Sequence, residues 1–161
     1  MQILLPAAQQ IGEVLKRRGE TIAVAESSSG GLISAALLSV PGASAYFLGS
    51  SVFYTRKSLK ELLGLGEPEF ARMRGLTEAT ALVLAHAIRC RLASSWAIAE
   101  IGASGPTGSR YGDPPGTSCI AVVGERERTA VIRTGSADRI ANMQAFAEAA
   151  MTLLSETIVQ S

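Results

Sequence analysis

The chain has 161 residues, 47% hydrophobic and 18% charged, a composition that supports a sizeable apolar core and excludes a disordered segment. Lys and Arg (15) nearly balance Asp and Glu (14), and aromatics make up only 5%, so no basic, aromatic-interleaved surface for nucleic acid or an anionic membrane is expected. Cys90 and Cys119 stand far apart, which implies no disulfide framework and suits a cytoplasmic location.

The first twenty residues lack a basic n-region and a small-residue cleavage site, so no signal peptide is read there. Pro6 to Arg18 has amphipathic helical spacing, and Lys16, Arg17 and Arg18 before Gly19 form a C-terminal stop. Thr21 to Ala25, "TIAVA", reads as a short buried strand. Ser29 to Val40 then places Leu32, Ile33, Ala36, Leu37 and Val40 at helical spacing until Pro41 ends the run, well short of the ~20 residues that span a bilayer.

Ser44 to Thr55 is aromatic and β-branched and should contain a strand ending near Tyr54, followed by a short helix, "SLKELLG", that stops at Gly64. Thr77 to Ala93 reads as a strong helix with Thr77 as N-cap and arginines in its last turn. "WAIAEIGA" is a strand, and Gly102 to Gly116 is a Gly/Pro-rich loop. "GTSCIAVVG" and "RTAVIRTG" flank Glu125-Arg126-Glu127 as a hairpin, and Ala137 to Val159 is a closing helix. Strands alternating with helices, then a hairpin and a last helix, predict one domain over residues 1–161, a three-layer α/β/α sandwich with a mixed sheet.

The chemistry concentrates in "AESSSGG". A strand that runs into a Gly-rich turn opening a helix can bind an anion, because the first helical N–H groups are unpaired. The same turn can hold a serine nucleophile beside oxyanion donors. Equally, Ser28 or Ser29 could simply cap the helix while the glycines let it pack. His86 lies mid-helix, a poor base for Ser27, and a lysine or tyrosine suits that role better. His86 and Cys90 are four residues apart, a spacing open to two metal ligands but met as readily by an ordinary packed helix.

"AESSSGG" resembles the A-E-S-C-T-G-G signature of the CinA C-terminal domain family, whose activity is deamidation of nicotinamide mononucleotide (NMN). "VPGASAYFLGSSVFYT", "GASGPTG" and "PPGTSCIAV" are similar to the family's further landmarks and follow in the same order. The resemblance implies an amidohydrolase in which Ser27 is the nucleophile and Tyr54 assists it, with no metal and no cofactor. The turn residues Ser28, Ser29, Gly30 and Gly31 would supply oxyanion and anion donors, and Gly102, Ser104, Gly105 and Gly108 would line the nucleotide pocket. The family's assisting lysine, five positions after the tyrosine, is Leu59 here. Lys57 and Lys60 flank it and are the candidate substitute bases, although at ~3.6 residues per turn each points roughly 100° or more away. A family arginine near the last helix is missing, and Arg139 is the candidate stand-in for binding phosphate or carboxylate.

These departures leave two expectations: an NMN-deamidase-type amidohydrolase in NAD recycling, or an impaired paralogue that binds a nucleotide-like ligand or a protein partner. The expected partner is a small nucleotide substrate, without nucleic acid or membrane, in a chain that resembles the family's stand-alone form. Leu62, Leu63, Leu65 and Phe70 could belong to a homo-oligomer interface or to the core.

Overall fold

A computed structural model describes residues 1–160. Five strands form one sheet in the order β2-β1-β3-β4-β5, from β1 (Ile22–Glu26), β2 (Phe47–Val52), β3 (Trp96–Ala103), β4 (Thr117–Val123) and β5 (Glu127–Arg133). β1 pairs in parallel with both β2 and β3, whereas β4 runs antiparallel to β3 and β5. Helices cover both faces: α1 (Leu5–Arg18), α2 (Leu32–Leu38) and α6 (Arg139–Val159) on one, α3 (Arg56–Leu63), α4 (Glu67–Arg72) and α5 (Glu78–Leu92) on the other. The three-layer α/β/α architecture with a mixed sheet is the one the sequence predicts.

Strand alternation divides the core. Ile22, Val24, Ile98, Ile120 and Val122 face α1, α2 and α6. Ala23, Ala25, Ala97, Ala99 and Ala121 face the other way, and these small residues let α5 lie against the sheet through Ala81, Leu84, Ala85 and Ile88. The helix ends follow the expected chemistry. Gly19 takes a left-handed φ of 64° after α1, and the Thr77 hydroxyl accepts the Thr80 amide at 3.1 Å to cap α5.

Two elements differ from the sequence reading. α2 starts at Leu32 and not at Ser29, because Gly30 and Gly31 hold φ of 67° and 99° and Ser27 to Gly31 form a turn. α4 is an extra short helix, in which Glu69 folds back so that the Gly66 amide donates to its carboxyl at 2.9 Å. That amide holds the Glu69 carboxyl below its usual range. No helix among the described residues is long and apolar enough to cross a membrane.

Candidate functional site

β1, β2 and β3 are parallel, so their C-terminal ends open on one edge of the sheet, where open α/β folds place ligands. A cavity of about 740 Å³ lies there, within the size range of small-molecule sites. Ser27 enters it from the end of β1, Tyr54 from just beyond β2, Gly102 and Ala103 from the end of β3, and Arg139 from the start of α6. Phe53, Leu59, Phe70 and Ile101 give it an apolar floor. Arg56, Arg110 and Arg139 also line it, and no carboxylate does, so the wall suits an anion.

Two buried glutamates organise the turn behind this cavity. Glu26 and Glu100 are paired in register on β1 and β3, and both are fully buried. Glu26 accepts the Ile33 amide at 3.2 Å, the Ser34 amide at 3.0 Å, the Ser29 hydroxyl at 2.8 Å and the Ser34 hydroxyl. Its carboxyl thus caps the start of α2 from inside the protein. Glu100 accepts the Ser27 amide at 3.2 Å, the Ser29 amide at 2.9 Å, the Ser29 hydroxyl at 3.0 Å, the Ser118 hydroxyl at 2.7 Å and the Ser28 hydroxyl. Buried carboxyl groups need such partners, and here most polar groups of the turn supply them.

This corrects the expectation of an anion cradle made by the turn. Ser29, Gly30 and Gly31 do not line the cavity. The Ser29 amide and hydroxyl are spent on Glu26 and Glu100, and the Gly30 amide donates to the Ser27 carbonyl at 3.1 Å. Gly30 sits instead against Met143, whose Cε would be 2.7 Å from an added Cβ. Ser28 does line the cavity, and its amide has no partner among the described residues. The Ser27 hydroxyl likewise has no partner among the described residues, and Ser27 lines the cavity.

Neither flanking lysine reaches Ser27, which corrects the second expectation. Lys57 and Lys60 are exposed on α3 and line no part of the cavity, while Leu59, only 7% exposed, fills the inward position between them. The helical rotation of about 100° per residue turns both amines to solvent.

Tyr54 and Arg139 do come together. The Tyr54 hydroxyl oxygen accepts from the Arg139 guanidinium at 3.1 Å, and the same guanidinium donates to the Gly105 carbonyl at 2.7 Å. Gly102, Ser104, Gly105 and Gly108 all line the cavity. Asn142 holds their loop from beneath: its side-chain amide donates to the Ser104 and Ser136 carbonyls, each at 2.8 Å. At Gly108 an added Cβ would lie 2.1 Å from the Asp113 carbonyl oxygen, so the loop closes only on glycine.

Sequence reasoning missed Arg56, Arg110, Glu100 and Asn142. A glutamate inside the apolar strand "WAIAEIGA" was the available signal for Glu100. The arginines carry no spacing that marks them.

Other reactive groups lie apart from the site. Burial, aided by Asp113 and Glu78, pushes the Cys119 thiol up to about 11, away from nucleophile chemistry. His86 meets Glu127 across α5 and β5 at 2.8 Å, and the described residues hold no cluster of three or more metal-ligating side chains.

Comparison with known proteins places this arrangement in context. Residues 5–158 match the family model of the CinA C-terminal domain. A CinA-like protein of Chloroherpeton thalassium is 37% identical over 161 residues, spanning 96% of this chain and 38% of its own length. One of Gloeobacter violaceus is 41% identical over 124 residues, spanning 76% of this chain and 29% of its own length. The chain therefore spans roughly a third of the curated relatives it matches. Among solved structures, a CinA superfamily protein of Klebsiella pneumoniae superposes with TM-score 0.88 at 24% identity, covering 98% of this chain and 99% of its own. The competence/damage inducible protein CihA of Agrobacterium tumefaciens gives 0.85 at 27% identity, with 94% and 93% covered.

Proposed function

The chain belongs to the CinA C-terminal domain family, and we propose that it is an amidohydrolase of the NMN-deamidase type, taking NMN or a related carboxamide mononucleotide into the cavity beside Ser27. The observation that carries this reading is the convergence of Ser27, Tyr54, Arg139 and the Gly102–Gly108 loop on one cavity with three arginines and no carboxylate in its wall. The arginines hold the phosphate, and the carboxamide points to the serine.

Ser27 attacks the carboxamide carbon. The unpartnered Ser28 N–H, on the residue after the nucleophile, donates to the developing oxyanion. Tyr54 passes the serine proton to the departing nitrogen, which leaves as ammonia. Its oxygen already accepts from Arg139, which frees its hydrogen for donation toward the reacting groups. Water then hydrolyses the acyl-serine to nicotinate mononucleotide.

Leu59 favours a second reading. Because an apolar side chain fills the inward position on α3, the site has no amine to take the serine proton, which supports recognition of the nucleotide without turnover. Loss of a general base costs roughly 10²–10⁴-fold in rate.

The deciding experiment measures ammonia release and NMN binding by calorimetry for the wild type, Ser27→Ala and Leu59→Lys. Turnover by the wild type that disappears in Ser27→Ala is the expected result. Binding without turnover, with a gain in Leu59→Lys, replaces it by the second reading. Neither binding nor turnover in any variant overturns both.

A further inference from the structure

The hydrogen-bond donors of the Ser27–Ser29 turn fall into two sets. The Ser28 hydroxyl and the Ser29 amide donate to the buried Glu100 carboxyl, which also shares the Ser27 amide with its own backbone carbonyl, at 3.2 and 3.1 Å, and the Ser29 hydroxyl with Glu26, at 3.0 and 2.8 Å. The two donors that remain, the Ser27 hydroxyl and the Ser28 amide, have no partner among the described residues and belong to residues that line the cavity. The Glu100 carboxyl is in turn anchored by the Ser118 hydroxyl from β4 at 2.7 Å. Gly102 keeps the space open, since a Cβ there would lie 2.6 Å from the Ser28 hydroxyl oxygen.

We propose that Glu100 is the positioning residue of this site: from β3 it grips three consecutive turn residues, so that the hydrogen-bond donors left for the ligand are the Ser27 hydroxyl and the Ser28 amide. The proposal rests on the functional reading above and adds to it the group that fixes the nucleophile. Glu100 touches no ligand. It acts, together with Glu26 on the Ser29 hydroxyl, by holding the turn in one orientation, and a misplacement of about 1 Å at a reacting group costs roughly 10²-fold in rate.

The test uses the whole chain with Glu100→Ala, Glu100→Gln and, as a control for general destabilisation, Leu15→Ala in the core of α1. The side chain of Gln keeps an oxygen for the two amides and offers its NH₂ to the Ser28 and Ser118 hydroxyl oxygens, so it preserves the geometry. The Ser29 amide, whose only partner is the Glu100 carboxyl, reports directly on the grip by hydrogen exchange. Its exchange accelerates roughly tenfold or more in Glu100→Ala beyond any change in Leu15→Ala, and Glu100→Gln restores it.

The functional arm compares Glu100→Ala, Glu100→Gln and Leu15→Ala, read as kcat and KM for NMN if the wild type turns over and as NMN affinity if it only binds. Glu100→Ala lowers kcat roughly 10²-fold with KM little changed, or weakens NMN binding, while Glu100→Gln restores the value and Leu15→Ala leaves it unchanged. A Glu100→Ala kcat or NMN affinity equal to that of the wild type, or an unchanged Ser29 exchange rate, overturns the proposal. A wild type that neither binds nor hydrolyses NMN overturns the functional reading, while the Ser29 exchange still decides whether Glu100 grips the turn.

Discussion

At the scale of single residues, most of the candidate site depends on atoms that are missing. Gly102 is the clearest case. A Cβ at this position would meet the Ser28 hydroxyl at 2.6 Å, the Thr117 carbonyl oxygen at 2.8 Å and the Ser118 Cβ at 2.9 Å. Its backbone φ is not left-handed, so the constraint is space and not torsional strain. Gly102→Ala should therefore destabilise the fold by about 1–3 kcal/mol through overpacking, measured by urea unfolding, and should weaken NMN binding by displacing Ser28. An unchanged NMN affinity together with unchanged stability would show that the turn can shift at no cost. Gly102 was legible as a candidate from the "GASGPTG" landmark, but its reason was not, because Ser28 and Ser118 approach it only across the sheet.

At the scale of elements, helix ends and inward faces decide what reaches the cavity. α3 shows this directly: the family's lysine position is occupied by Leu59, which joins the apolar floor with Phe53 and Phe70. The sequence already placed Lys57 and Lys60 off that direction, and the helix turns both to solvent. α5 reaches the cavity through Thr80 near its N-terminus, and the Thr77 hydroxyl caps it at the Thr80 amide. Thr77→Ala should cost about 1 kcal/mol in thermal or denaturant unfolding and loosen this end of the cavity, whereas Thr77→Ser should restore it. α2 is the contrasting case. Its first amides are spent on the Glu26 carboxyl, so the helix start that looked open to a ligand in sequence is filled by the chain itself.

At the scale of the whole molecule, buried titratable groups tie stability to pH. The Cys119 thiol, fully buried on β4, is pushed up to about 11 from a model-peptide value of 9.0. Burial also raises the Tyr46 hydroxyl, which donates to the Leu37 carbonyl. Both groups keep their protons longer in the folded than in the unfolded chain, so unfolding releases protons at alkaline pH and stability falls as pH rises. For Cys119 the loss should begin near pH 9, level off above about pH 11 and amount to about 2–3 kcal/mol. Cys119→Ala should flatten that part of the stability profile, as followed by urea unfolding across this range. An identical slope in Cys119→Ala would assign the alkaline loss to other groups.

The sequence by itself determined the fold class, because hydrophobic period, glycine stops and the Thr77 cap are local and additive along the chain. It also singled out residues that the fold brings together: Ser27, Tyr54, Arg139 and the Gly102–Gly108 loop all line one cavity. Tertiary structure decided which groups are free to act there. The Ser27 and Ser29 amides looked available because their competitor, Glu100, lies 71 residues from Ser29 along the chain. Parallel pairing of β1 with β3 brings Glu26 and Glu100 side by side, and two buried carboxyl groups then draw the nearest N–H and O–H donors to themselves. That competition between an external ligand and an internal acceptor exists only once the strands are paired, so no local pattern in the sequence could reveal it.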